Sequence, residues 1–212
     1  MTSLNRRALL SLAAALAAAP AWAQEAGAPA AADPAAAAPE VTDISYGDPA
    51  APVKIIEYAS YSCSHCATFH ETVFKPLKQD YIDTGKVYLT VREFYRMPAD
   101  FWAALIARCG DGTRYEAISA MVFEKQAQWL NSNDPNEIME NLRVIGVSAG
   151  LTREQIAACE ADTATGEVML RNFQENITKD NVTATPTVYV DGERVQDWSW
   201  PALKALIDGK IG

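Results

Sequence analysis

The stretch Glu57-Tyr58-Ala59-Ser60-Tyr61-Ser62-Cys63-Ser64-His65-Cys66 lies where two hydrophobic patterns meet. Upstream, Pro52 is followed by Val53-Lys54-Ile55-Ile56-Glu57-Tyr58-Ala59, a short apolar run rich in β-branched residues that suits a buried strand. Downstream, Phe69, Val73, Phe74, Leu77 and Tyr81 recur at helical spacing, which predicts a helix from about Cys66. Cys63 and Cys66 therefore fall where a strand ends and a helix begins. A helix N-terminus offers unpaired N–H groups and the positive end of the dipole, and both stabilise a thiolate on the more N-terminal cysteine. Two cysteines three apart can also close a small disulfide ring, so the pair has two redox states. Cys63 is the expected attacking sulfur and Cys66 the resolving one. His65 between them can add positive charge or a donor toward Cys63, with Ser64 as the other intervening residue. A fall in the Cys63 pKa from about 8.5 to about 5.5 would stabilise the reduced form by roughly 2 kcal/mol at neutral pH, about 45 mV of oxidising power. A zinc site using Cys63, Cys66 and His70, and an inert structural disulfide, are the competing readings. No second Cys-x-x-Cys exists to complete a metal site.

Outward from this site, Gly85 closes the helix, and Val87, Leu89 and Val91 alternate with Tyr88, Thr90 and Arg92 as a second strand. Strand, helix and strand in that order imply a parallel pair with a right-handed crossover. From about Asp100 to Asp180 the pattern is helical. Asp134, Pro135 and Glu137 form one expected capping box, and Thr152 with Gln155 forms another. Strand signals return at Thr187-Val188-Tyr189-Val190, followed by the tight turn Asp191-Gly192 and a short partner from Glu193 to Gln196. A closing helix begins near Ser199 and Pro201 and carries Leu203, Leu206 and Ile207. Phe101, Trp102, Trp129 and Trp198 read as core or interface aromatics. The glycosylation patterns at Asn176 and Asn181 read as chance.

Length and composition fit this picture. The 212 residues, 49% hydrophobic and 21% charged, can bury a full core without a metal. A formal charge of −9 lacks the positive surplus that nucleic-acid affinity needs, so nucleic acid is not an expected partner. With only 2 His an all-histidine metal centre is excluded, and 4 Cys are too few for a disulfide-framework scaffold.

Residues 1–23 carry Arg6 and Arg7, an apolar run from Ala8 to Ala19, and the small-x-small triplet Ala21-Trp22-Ala23, the pattern of a cleaved export peptide. The paired arginines also permit a twin-arginine route. Cleavage after Ala23 takes away those two arginines and no acid, so −9 becomes −11. Residues 24–41 are dominated by Ala and Pro and are expected to be a flexible tether. Export and an even cysteine count point to an oxidising compartment, the periplasm. There the remaining pair, Cys109 at the end of one predicted helix and Cys159 within another, is by default a structural disulfide. Its loop of about 51 residues would constrain the unfolded chain by roughly 4 kcal/mol. Two buried free thiols or a second redox site are the alternatives.

The stretch from Glu57 to Cys66, the inserted helices, and Ala184-Thr185-Pro186-Thr187 together resemble the DsbA-type periplasmic thiol:disulfide oxidoreductases of the thioredoxin superfamily, over residues 42 to 212. The resemblance implies an α/β thioredoxin fold, residues 42–98 and 182–212, interrupted by a helical domain, residues 99–181. It implies that Pro186 follows a cis peptide facing the cysteine pair, and that Thr185 offers backbone hydrogen bonds to an extended substrate. It casts Glu57 as a buried acid assisting proton transfer at the resolving cysteine. A carboxyl among Ile55, Ile56 and aromatics would have a raised pKa, and the alternative is an edge-exposed surface acid. It implies no cofactor beyond the Cys63–Cys66 disulfide, no metal, a monomer, reduced exported polypeptides as substrates, and a DsbB-like membrane protein as reoxidant. Ser64 and Thr185 depart from the best-known members, which carry Pro between the cysteines and Val before the cis-proline. Thr at the latter position also occurs in isomerase-type relatives, so an isomerase or reductase is the nearest alternative. A non-catalytic metal- or peptide-binding protein is a further one.

Overall fold

The chain is described by a computed structural model over residues 39–110 and 112–212. The export peptide expected at residues 1–23 and nearly all of the tether lie outside those residues. Strand β1 (Ile44–Tyr46) leads through a turn into β2 (Val53–Ala59). At Gly47, φ is +91° and a Cβ would lie 2.5 Å from the Val87 carbonyl oxygen, so only glycine fits this turn. Helix α1 (Ser64–Phe69) continues through a π-helical turn (His70–Phe74), α2 (Lys75–Leu77) and a second π-helical turn (Lys78–Ile82) to β3 (Val87–Glu93). Pro76 has no N–H to donate back along the helix, and the winding widens on either side of it.

The sheet runs in the order β1-β3-β2-β4-β5, with β4 spanning Thr187–Val190 and β5 Glu193–Val195. β2 pairs parallel with β3 and antiparallel with β4, which makes it the central strand. That position explains its near-continuous apolar character, since both faces are covered. Val53, Ile55, Val87, Leu89 and Val188 are buried there, together with Phe69, Val73 and Leu77 of the helix that follows β2. Asp191 and Gly192 both have positive φ, 49° and 86°, as the tight β4–β5 turn requires. β1, which pairs antiparallel with β3, carried no sequence signal; three residues are too few to show a period.

Between β3 and β4 run α3 (Pro98–Arg108), α4 (Tyr115–Glu124), α5 (Gln126–Trp129), α6 (Pro135–Ser148), α7 (Arg153–Ala161) and α8 (Thr163–Lys179), and α9 (Trp200–Ile211) closes the chain. The described residues belong to one compact unit. Three expectations need correction. The Thr152–Gln155 capping box forms with both reciprocal bonds, 3.1 and 2.8 Å. At α6, however, Asp134 caps Asn136 alone, because Glu137 turns instead to the Ser132 hydroxyl at 2.7 Å. Leu206 is 38% exposed, whereas Leu203 and Ile207 are wholly buried. The tether stops short of its expected end: Val41 packs on the core, and its carbonyl accepts from Asn172 Nδ2 at 2.7 Å.

Candidate active site

The cysteine pair is built by the end of β2. The chain leaves the strand at Ala59, turns through Ser60-Tyr61-Ser62, and enters α1 with Cys63 in extended conformation at the N-cap, φ −85° and ψ 118°. The Cys63 N–H donates to the Ser60 carbonyl at 3.1 Å, and the N–H groups of Cys66 and Ala67 both donate to the Cys63 carbonyl at 3.1 Å. Cys63 thereby opens α1, and Cys66, one turn into it, is wholly buried. In this structure the two are unbridged thiols.

The environment separates the two sulfurs. Cys63 is held well below the ordinary thiol range, at about 5. The largest cause is the hydrogen bond from Cys66, opposed by burial and supported by Thr185 and by the backbone N–H groups of Cys66 and His65. Cys66, wholly buried, is pushed far upward by its bond to Cys63, by burial and by the nearby Glu57 carboxyl. It receives one compensating donor, the Ser60 N–H at 3.4 Å.

Glu57 lies in the central strand in register with Val91 on one side and Val188 on the other. It is 5% exposed, and burial pushes its carboxyl up to about 8. The edge-exposed alternative therefore does not hold. Across the pair, the Thr185–Pro186 peptide is cis, and the Thr185 carbonyl accepts the Cys63 thiol at 3.4 Å. The Thr185 hydroxyl is buried with no partner beside the Cys63 thiol, and the Cys63 thiolate is the acceptor it gains.

The two residues between the cysteines stand differently from expectation. Ser64 and His65 are both exposed. The His65 group that acts on the Cys63 sulfur is its backbone N–H rather than its imidazole. His70 is stacked between Phe74 and Phe123 at 4.9 and 5.2 Å, and burial lowers its pKa to about 4. No group of three or more metal-ligating side chains is present among the described residues.

Pattern reading missed Asp100. The helical pattern marks it only as a helix start, which it is, but its wholly buried carboxylate also accepts from Ser60 and Ser62 in the cysteine loop. The two hydroxyls flanking Tyr61 are the only local signal, and nothing in sequence ties them to a residue 38 positions away. Cys109 at the end of α3 and Cys159 in α7 are joined by a disulfide, S–S 2.04 Å, as expected. Trp129 is buried with its indole N–H on the Val122 carbonyl, and Trp198 packs edge-on against Phe69, so both are core aromatics.

A family model described as "Thioredoxin" matches residues 39–209. The chain belongs to the thioredoxin family. Among solved structures it is similar to alpha-DsbA1 of Wolbachia pipientis, with 27% identity and a TM-score of 0.73 over 82% of this chain and 93% of that one. It is similar as well to a protein-disulfide isomerase from Novosphingobium aromaticivorans, with 25% identity and a TM-score of 0.73 over 80% and 97%. A Rickettsia bellii protein named as a protein-disulfide oxidoreductase is 31% identical over 80% of this chain, which spans 64% of that relative's length. These neighbours bear out the DsbA-type resemblance and the thioredoxin fold with substantial helical content.

Proposed function

We infer that this chain is an exported, periplasmic thiol:disulfide oxidoreductase that donates the Cys63–Cys66 disulfide to reduced polypeptides. The observation that carries the reading is the separation of the two sulfurs, Cys63 held near 5 and Cys66 pushed far upward, beside a cis-proline. In the disulfide form, a substrate thiolate attacks the Cys63 sulfur. The Cys63–Cys66 bond breaks, and Cys66 leaves as a thiolate. Cys66 holds its proton tightly, so it takes one up from Glu57, which at about 8 is protonated at neutral pH. A second substrate thiolate then attacks the substrate sulfur of the mixed disulfide, and Cys63 departs as a thiolate at little cost. The substrate loses two electrons to form its disulfide, and the pair ends as Cys63 thiolate and Cys66 thiol.

Stabilising Cys63 as a thiolate favours the reduced protein, which is what makes an oxidant. In this reading residues 42–98 and 182–212 form the thioredoxin part and 99–181 the helical insertion. The disulfide is the sole redox group, the protein acts as a monomer, and residues 1–23 direct export. Thr185 and Pro186 present backbone to an extended substrate, and a DsbB-like membrane protein restores the disulfide. No helix among the described residues is long and apolar enough to cross a membrane.

The deciding experiment is the equilibrium reduction potential of the Cys63–Cys66 pair against a glutathione series, with Cys109–Cys159 followed separately. A potential well above that of glutathione is expected, and one near that of thioredoxin would overturn the oxidase reading. Likeness to the Novosphingobium protein named as an isomerase favours a second reading. A stable dimer that refolds scrambled substrate faster than it oxidises reduced substrate would establish it.

A further inference from the structure

Asp100 stands third in α3 and has no exposed surface. A carboxylate so placed is costly unless its lone pairs are filled. Its two oxygens accept five hydrogen bonds. Oδ1 takes the Ser60 hydroxyl at 2.8 Å and the Ser62 N–H at 2.6 Å. Oδ2 takes the Ser62 hydroxyl at 3.0 Å and the N–H groups of Arg96 and Met97 at 2.9 and 3.0 Å. The last two are the free donors at the entry to α3, which any acid at this position would satisfy. The other three belong to the loop that delivers Cys63.

Ser60 is the hinge of that loop. Its hydroxyl goes to Asp100, its carbonyl accepts the Cys63 N–H at 3.1 Å, and its own N–H donates to the Cys66 sulfur at 3.4 Å. The intervening Tyr61 is held from the same side of the chain. Its carbonyl accepts from Gln126 Nε2 at 2.7 Å, and its hydroxyl lies 3.0 Å from that of Tyr115 and 3.1 Å from that of Ser119.

We propose that Asp100 is a positioning residue for the dithiol: by gripping Ser60 and Ser62 it aims the Ser60 N–H at Cys66 and seats Cys63 at the start of α1. The inserted helices thereby set the reactivity of a pair that they do not carry. Only a carboxylate serves. An asparagine would turn its NH2 toward either the Ser62 N–H or the Arg96 and Met97 N–H groups, donor against donor.

The proposal rests on the dithiol reading above, and its test separates the two. The pH midpoint of Cys63 alkylation, the reduction potential and the Tm are measured for wild type, Asp100→Ala, Asp100→Asn, Ser60→Ala and Ser62→Ala. Each variant is assayed at a temperature where its near-UV spectrum is native. The expected result is a midpoint raised by about one unit in both Asp100 variants, a tenfold loss of thiolate at acid pH. Carried wholly into the redox equilibrium, that tenfold lowers the potential by about 30 mV. The serine variants shift the same way by less, and they decide the matter alone if the Asp100 variants do not fold. A lowered Tm with an unmoved midpoint would make Asp100 a purely structural residue and overturn the proposal. A midpoint that falls would also overturn it, because that is the effect of deleting a negative charge without disturbing the loop. A wild-type midpoint near the ordinary thiol value sinks the oxidase reading instead, while the difference between variant and wild type still decides the role of Asp100.

Discussion

Two cysteine pairs in one chain have been given opposite surroundings. Cys63 and Cys66 are three residues apart, across the N-terminus of one helix, and face the cis Thr185–Pro186 peptide. Cys109 and Cys159 are 50 residues apart and join the end of α3 to α7, Cys109 as the α3 C-cap and Cys159 within α7. The first pair is polarised: hydrogen bonds to Cys63 lower it, and the bond Cys66 makes to Cys63, together with burial, raises Cys66. The second is a covalent tie between packed helices. The same side chain is thus a reagent or a staple according to the donors aimed at it and the length of chain it closes.

The comparison breaks most sharply under substitution. Cys63→Ala should abolish oxidation of a reduced peptide, a loss of at least about a thousandfold, because no other sulfur can form the mixed disulfide. The double change Cys109→Ala/Cys159→Ala should retain exchange and lower unfolding stability by about 4 kcal/mol, the constraint lost from the unfolded chain. Denaturant unfolding with a peptide-oxidation assay checks both, and a double variant as inactive as Cys63→Ala would erase the distinction.

Glu57→Gln should slow reduction of the disulfide form by about tenfold, since Cys66 then departs without a proton donor. The same change tests burial by its sign. Glu57 in the fold sits at about 8, above its ordinary 4.5, so the native state keeps a proton that the unfolded chain releases. That contribution is full below about 4.5 and is lost as pH rises to 8. The variant should match wild type at pH 4 and exceed it by about 4 kcal/mol at pH 8.

A third test uses Cys63 itself. Its folded pKa lies below the ordinary one, so its stabilisation of the reduced form is full above about 9, declines as pH falls, and is gone below about 5. The Tm of the reduced protein should exceed that of the disulfide form at pH 7, and the gap should narrow at pH 4.5. An equal gap at both pH values would sever thiolate acidity from oxidising power. The smallest effect on stability belongs to Thr185→Val in the disulfide form, where a buried hydroxyl with no partner in the structure gives way to a methyl. The Tm should stay level or rise by the equivalent of up to about 1 kcal/mol. A fall would mean that the hydroxyl has a partner in solution.

Much of this was legible in the chain itself. Val53–Ala59 and Val87–Glu93 stand where their β-branched and alternating patterns put them, and the Asp191-Gly192 turn and the Thr152–Gln155 box follow from local chemistry. Local rules failed where two local partners compete, as when Ser132 drew Glu137 from its cap. They failed also where burial depends on distant packing, as at Leu206.

By itself the sequence determined the strand–helix junction at Cys63 and Cys66, because period, turn chemistry and spacing are properties of neighbours along the chain, while Pro186 and Glu57 came forward through the family resemblance. The tertiary structure alone decided that Glu57 lies in the central strand and that Asp100 grips Ser60 and Ser62. Those facts arise from groups tens of residues apart meeting in a space closed to water, where an unfilled lone pair or an unpaired charge is costly enough to dictate which donors must converge.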